Sequence, residues 1–133
     1  MDPFGSLTVS LSGMIAQKYR LDAIAWNLAN AHTTRAPGGG PYRRRDVVIA
    51  AWPYGPGELG VKVVGVYRDP RPFRVRYEPG HPDADGQGFV RLPNVNPLEE
   101  MANLVAALRA YEANARAFEA AKRMALRALE TLR

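Results

Sequence analysis

The chain has 133 residues, 47% of them hydrophobic, a formal net charge of +5 and no cysteine. That is one domain's worth of folded chain, and it excludes disulfides, thiolate metal sites and a cysteine nucleophile. Its 18 basic residues include only three lysines, Lys18, Lys62 and Lys122; the arginines are spread along the chain apart from Arg43, Arg44 and Arg45, so no block of charge marks a nucleic-acid surface.

Met1 to Gly5 carries Pro3 and Gly5 and reads as a loose start. Leu7, Leu11, Met14, Leu21, Ala25 and Leu28 then recur in steps of four and three, with Lys18 in the one polar slot, which predicts an amphipathic helix from about Ser6 to Asn30. Gly13 weakens that helix by roughly 1 kcal/mol relative to alanine. From Ala31 to Pro41 two prolines and three consecutive glycines predict a flexible loop. Short runs of strand character follow at Asp46 to Ala51, Val61 to Tyr67, Phe73 to Tyr77 and Phe89 to Leu92, punctuated by prolines, and predict one small sheet that needs helices to complete its core.

Asn96, Pro97, Glu99 and Glu100 have the chemistry of a helix start: a capping oxygen, a residue with no N–H to leave unpaired, and two charges for the positive end of the dipole. With neither glycine nor proline after Leu98, the helix is expected to reach Arg133. Met101, Leu104, Leu108, Tyr111, Ala115, Phe118, Ala125, Leu129 and Leu132 give it a heptad seam broken only at Lys122. Opposite lies a stripe of small residues, Ala106, Ala110, Ala113, Ala117 and Ala120. It reads either as neutral helix-forming positions or as a surface that a second partner approaches closely. Arg109, Glu112, Arg116, Glu119 and Arg123 form a ladder of alternating charge between the two.

Paired antiparallel, the two helices should bring Leu28 near Met101, Leu21 near Leu108, Met14 near Ala115 and Leu11 near Phe118. Residues 122–133 then overhang by roughly 15 Å at helical rise. Apolar and unpartnered in its own chain, that overhang should fray or be buried by a neighbour. The expected class is α+β: a long antiparallel pair of N- and C-terminal helices, coiled-coil-like, around a small β-rich insertion. Residues 1–34 and 94–133 make the helical layer and residues 35–93 the insertion.

Few motifs carry chemistry. The triple glycine lacks the lysine and helix of a phosphate loop. The run from Asp83 to Val90 departs from a calcium loop at Gln87 and Asn94, and reads better as a turn. His81 beside Asp83 and Asp85 has no third ligand at a recognisable spacing, and His32 is far away. No cofactor, metal or catalytic residue is assigned. Neither end has the order of a secretory signal and no run approaches the ~20 apolar residues of a membrane span, so departure from the cytoplasm would need another route.

Two stretches together carry a resemblance. Asn27-Leu-Ala-Asn30-Ala-His-Thr33-Thr34, closing the first helix, resembles the signature of flagellar axial proteins, the rod and hook components of bacteria. Tyr77-Glu-Pro79-Gly80-His81-Pro82-Asp83-Ala-Asp85, then Gly88 to Pro93, Asn94 and Asn96, with Glu100-Met101 and Gly39 to Arg44, resembles the short proximal-rod group of that family. The resemblance implies a structural subunit and no enzyme: export through the flagellar type III apparatus without a cleaved signal, then stacking into the periplasmic rod of the basal body. Its implied partners are copies of itself, other rod proteins, a rod-to-membrane-ring adaptor and the export apparatus, with no nucleic acid and no small-molecule substrate. Asn27, Asn30, Thr33 and Thr34 would form the polar end of the first helix. Leu104, Leu108, Tyr111 and Phe118 would serve the seam within the chain, and Leu126, Leu129 and Leu132 the contact between subunits. A coiled-coil adaptor binding one partner helix is the alternative that the heptads allow.

Overall fold

The computed structural model describes residues 3–132, so expectations for Met1, Asp2 and Arg133 lie outside the described residues. Two long helices enclose two β-hairpins: α1 (Pro3–Ala29), β1 (Arg45–Gly55), β2 (Glu58–Arg68), β3 (Arg74–Tyr77), β4 (Phe89–Leu92) and α2 (Pro97–Thr131). The α+β class and the terminal helix pair are as expected. The loose start is not: Pro3 to Gly5 are already helical, since proline suits a first helical turn. At the head of α2, the Asn96 side chain accepts a hydrogen bond from the Leu98 N–H at 3.0 Å.

The two helices run antiparallel, in a register two residues away from the expected one. Asn27 meets Glu100, Gly13 faces Asn114, and Ser6, Val9 and Ser10 lie against Ala117, Ala120, Ala121 and Met124. A Cβ at Gly13 would stand 2.6 Å from the Asn114 side chain, which fills the space that the glycine leaves open. The buried residues of α2 are Glu100, Ala107, Ala121 and Ala125. Glu100, Ala107 and Ala121 each lie one position before the expected seam line at Met101, Leu108 and Lys122, whereas Ala125 is itself an expected seam residue. Leu104, Tyr111 and Phe118 remain half-buried, whereas Met101 and Leu108 are exposed. A seam at this spacing accepts small side chains and turns the larger ones aside.

The second difference concerns the sheet. There are two separate two-stranded hairpins, not one sheet. β1 and β2 pair antiparallel through a Pro56–Gly57 turn, and β1 runs on through Pro53 because a hairpin leaves one edge of each strand free of ladder bonds. This hairpin lies along α1: Gly5 sits beside Glu58, and the Ser12 hydroxyl accepts from the Val61 N–H at 3.1 Å. Thus α1 is covered by α2 on one side and by β1–β2 on another, whereas α2 packs on α1 and on neither strand of that hairpin. The β3–β4 hairpin touches no other helix or strand in this way; its own Arg74 ties it down, donating to the carbonyls of Pro93 at 3.1 Å and Ala31 at 3.3 Å. Within it, Tyr77 and Phe89 are cross-strand partners with ring centroids 5.2 Å apart, edge to face.

Two smaller expectations also change. The loop at Gly38 to Gly40 has positive φ throughout and closes on itself, the Ala36 N–H donating to the Gly40 carbonyl at 2.8 Å. The charge ladder does not close: among the described residues Glu112 and Glu119 form no ion pair. Exposed pairs of this kind are worth only a few tenths of a kcal/mol, too little to hold two long side chains together.

Candidate functional site

Where α1 ends and α2 begins, five segments meet around a buried polar network. Asn27 lies in the last turn of α1, fully buried, and its amide serves both neighbours. Its Oδ1 accepts from the Tyr42 hydroxyl at 2.7 Å and the Arg45 N–H at 3.0 Å. Its Nδ2 donates to the Arg45 carbonyl at 2.7 Å and to Glu100 Oε2 at 3.4 Å. Asn27 is thus polar and at the end of the first helix, but it serves other segments: it fastens the head of β1 and the first turn of α2 to α1. Asn30 and Thr33 do serve the helix end, Asn30 Nδ2 donating to the Trp26 carbonyl at 2.9 Å and Thr33 to Asn30 Oδ1 at 3.1 Å.

Asn94 plays the matching part from the other side. Its Oδ1 accepts from the Arg44 N–H at 2.8 Å, and its Nδ2 donates to the carbonyls of Asp69 and Arg71, both at 3.0 Å. Beside it Pro93 and Val95 are buried. Arg44 occupies the centre: its guanidinium pairs with Glu100, with Asp69 at 3.4 Å and with Asp46 at 3.6 Å. Burial works against that charge, but Glu100, Asp46 and Asp69 more than offset it and leave the Arg44 pKa raised. Burial likewise raises the Tyr42 hydroxyl.

Asp69 is held in its charged form, below the usual carboxylate value, first by the hydrogen bond from Arg71 and then by the Arg71 N–H and the nearby guanidinium charges. A depressed folded pKa stabilises the fold above the unfolded value of about 3.9 and loses that contribution as pH falls through the folded value. Stability measured by urea denaturation should accordingly decline below about pH 4. Asp69→Asn should be less stable at pH 7 and show a flatter decline in acid.

A second cluster joins the two sequence motifs. Asp83 accepts from the Thr34 hydroxyl at 2.7 Å and pairs with Arg35, while its N–H donates to His81 Nδ1 at 2.9 Å. Asp85 accepts from the N–H groups of Gln87 and Phe89 at 2.8 and 3.0 Å. These bonds hold both carboxyls below the usual range. Pro79, Gly80 and Pro82 lie exposed on the same loop. The loop is thus a turn clasped to the exit of α1, and among the described residues no group of side chains is arranged to hold a metal.

The remaining singled-out residues are apolar and mostly at the surface. Met14, Leu21 and Leu28 are partly buried and Leu11 is exposed. On α2, Leu98, Met101, Val105 and Leu108 form an exposed stripe in steps of three and four. Beyond Ala125 the helix runs past the described start of α1, and Leu126, Leu129 and Leu132 are 52%, 52% and 82% exposed. Sequence reasoning missed Arg44, Asp69 and Glu100 as partners. The one available signal was a carboxylate, Glu100, in heptad step with Ala107, Asn114 and Ala121.

Residues 7–36 match the family described as flagella basal body rod protein, and residues 87–131 match the C-terminal family of the flagellar basal body rod FlgEFG proteins. The chain is 40% identical to the flagellar basal-body rod protein FlgC of Borreliella burgdorferi, covering 99% of both chains. It is 41% identical to FlgC of Bacillus subtilis over 98% of both. Against FlgC of Aquifex aeolicus it is 39% identical, over 98% of this chain and 97% of the relative.

Proposed function

This chain belongs to the FlgC family of flagellar basal-body rod proteins and is a structural subunit of the basal-body rod, and from that premise we propose that it builds the proximal rod by deferred burial. Residues 1–34 and 94–133 act as the assembly layer and residues 35–93 as an insertion that braces α1. The observation that carries this reading is the exposure of Leu126, Leu129 and Leu132 together with the stripe from Leu98 to Leu108. So many large apolar side chains in helical step mark a surface meant for neighbours. Burying each side chain of that size contributes about 1.5–3 kcal/mol, and only an adjoining subunit offers the surface. Copies of this chain and other rod proteins are those neighbours; an adaptor to the membrane ring and the export apparatus are further partners of the same reading. The chain acts by packing and carries out no reaction. The coiled-coil adaptor is not favoured by the relatives.

Replacing Leu126, Leu129 and Leu132 together by glutamate tests it. Monomer stability should change by no more than about 0.5 kcal/mol, because the sites are exposed. Incorporation into purified basal bodies, read by immunoblot, and swimming should both be lost in a strain lacking its own copy. Wild-type incorporation of the triple variant would end the proposal.

A further inference from the structure

The open end of the β1–β2 ladder breaks a rule of sheet pairing. Arg45 and Arg68 are direct cross-strand partners there, and like charges in that position destabilise a sheet. Among the described residues neither forms an ion pair. Arg45 has instead the face of Tyr42, 5.5 Å from its guanidinium carbon. Both arginines line a cleft of about 190 Å³ whose other walls include Trp26, Pro37, Pro41 and Tyr42. Arg43 also borders it, but its guanidinium is already engaged, donating to the carbonyls of Asp69 at 2.7 Å and Arg71 at 3.2 Å and lying over Phe73. Trp26, 57% exposed, stands at the mouth.

A local rule broken with no carboxylate paired to either arginine among the described residues is expected where a partner supplies that charge. Two guanidinium forks at an aromatic wall suit a carboxylate, which they bind by charge-assisted hydrogen bonds. A chain of net charge +5 also needs local complementarity wherever it stacks on a neighbour. We propose that this cleft receives an acidic side chain of the adjoining subunit in the rod, paired by Arg45 and Arg68, with Trp26 packed on its aliphatic stem. The inference rests on the rod reading above and adds to it the chemistry of one contact.

Arg68→Glu separates the cleft's effect on the monomer from its effect on assembly. The change places opposite charges across the ladder, so the urea midpoint of the purified monomer should hold or rise. Incorporation into basal bodies should nevertheless fall at least tenfold. Arg76→Glu, the same change in net charge on the other hairpin, should be incorporated normally. Arg45→Gln with Arg68→Gln removes both charges without creating a new pair and should also fail to incorporate, which keeps the test open if Arg68→Glu misfolds. Wild-type incorporation of a folded Arg68→Glu chain, or equal loss in Arg76→Glu, would overturn the proposal. Failure of the unsubstituted chain to restore swimming would instead remove the rod reading beneath it.

Discussion

Replacing Arg44 by methionine should cost the fold about 3–5 kcal/mol, the usual penalty for stranding a buried charge. Glu100 is wholly buried, and its partners are the Arg44 guanidinium and, at a longer 3.4 Å, the Asn27 amide. Without Arg44 a carboxylate would sit in the interior with one weak donor. A small domain holds only about 5–15 kcal/mol of net stability, so the loss should be visible as a large drop in the urea midpoint. Arg44→Met combined with Glu100→Leu should recover most of it, because two apolar side chains can fill the site once neither charge remains. Asp69 keeps Arg71 as a partner in that double variant. If the double variant were as unstable as the single, the penalty would lie in lost packing and not in the orphaned charge.

Asn27→Asp preserves shape and should still cost about 3 kcal/mol or more at pH 7. The substitution removes the donor to the Arg45 carbonyl and sets a second carboxylate at the place now 3.4 Å from Glu100 Oε2. Burial and the adjacent carboxylate both favour the protonated acid, so its folded pKa is raised above the unfolded value of about 3.9. The extra penalty is therefore absent below about pH 4 and grows as pH rises toward the raised value. Comparing variant and wild type at the same pH cancels the contribution of Asp69. A difference that stayed constant from pH 4 to pH 7 would mean that the folded pKa is not raised and that the new carboxyl ionises as readily in the folded state as in the unfolded one.

The two termini were legible as helices because their periodicity is long and clean, and the start of α2 because Asn96 and Pro97 can do little else. The exact seam was not legible. Apolar size pointed to Met101 and Leu108, whereas the packed face takes Glu100 and Ala107, one position before each. Hydrophobic pattern alone cannot tell a seam that admits large side chains from one that requires small ones, nor foresee that β1–β2 covers another face of α1. The base network escaped for a different reason. Arg44 and Glu100 are 56 residues apart, and Asn27 and Glu100 are 73 apart. Nothing local distinguishes these side chains from solvated ones. The resemblance singled out Asn27, Asn94 and Asp83, but only the folded chain shows that the first two hold the helix base and the third clasps one motif to the other.

That separation of 73 residues between Asn27 and Glu100 also orders events in time. Synthesis delivers a chain from one end to the other, and a contact forms only when both its sides have emerged. The β1–β2 hairpin can dock on α1 as soon as residue 68 is out, because the contact between Ser12 and Val61 spans 49 residues, fewer than the 73 between Asn27 and Glu100. The helix pair must wait for Glu100 and the turns after it, closing a long loop at an entropic cost that the early contacts do not repay. A half-emerged chain therefore holds α1 braced on one side and open on the other. The step that completes the fold is also the step that first presents the exposed stripes of α2, so the surface proposed for assembly does not exist before the subunit itself does.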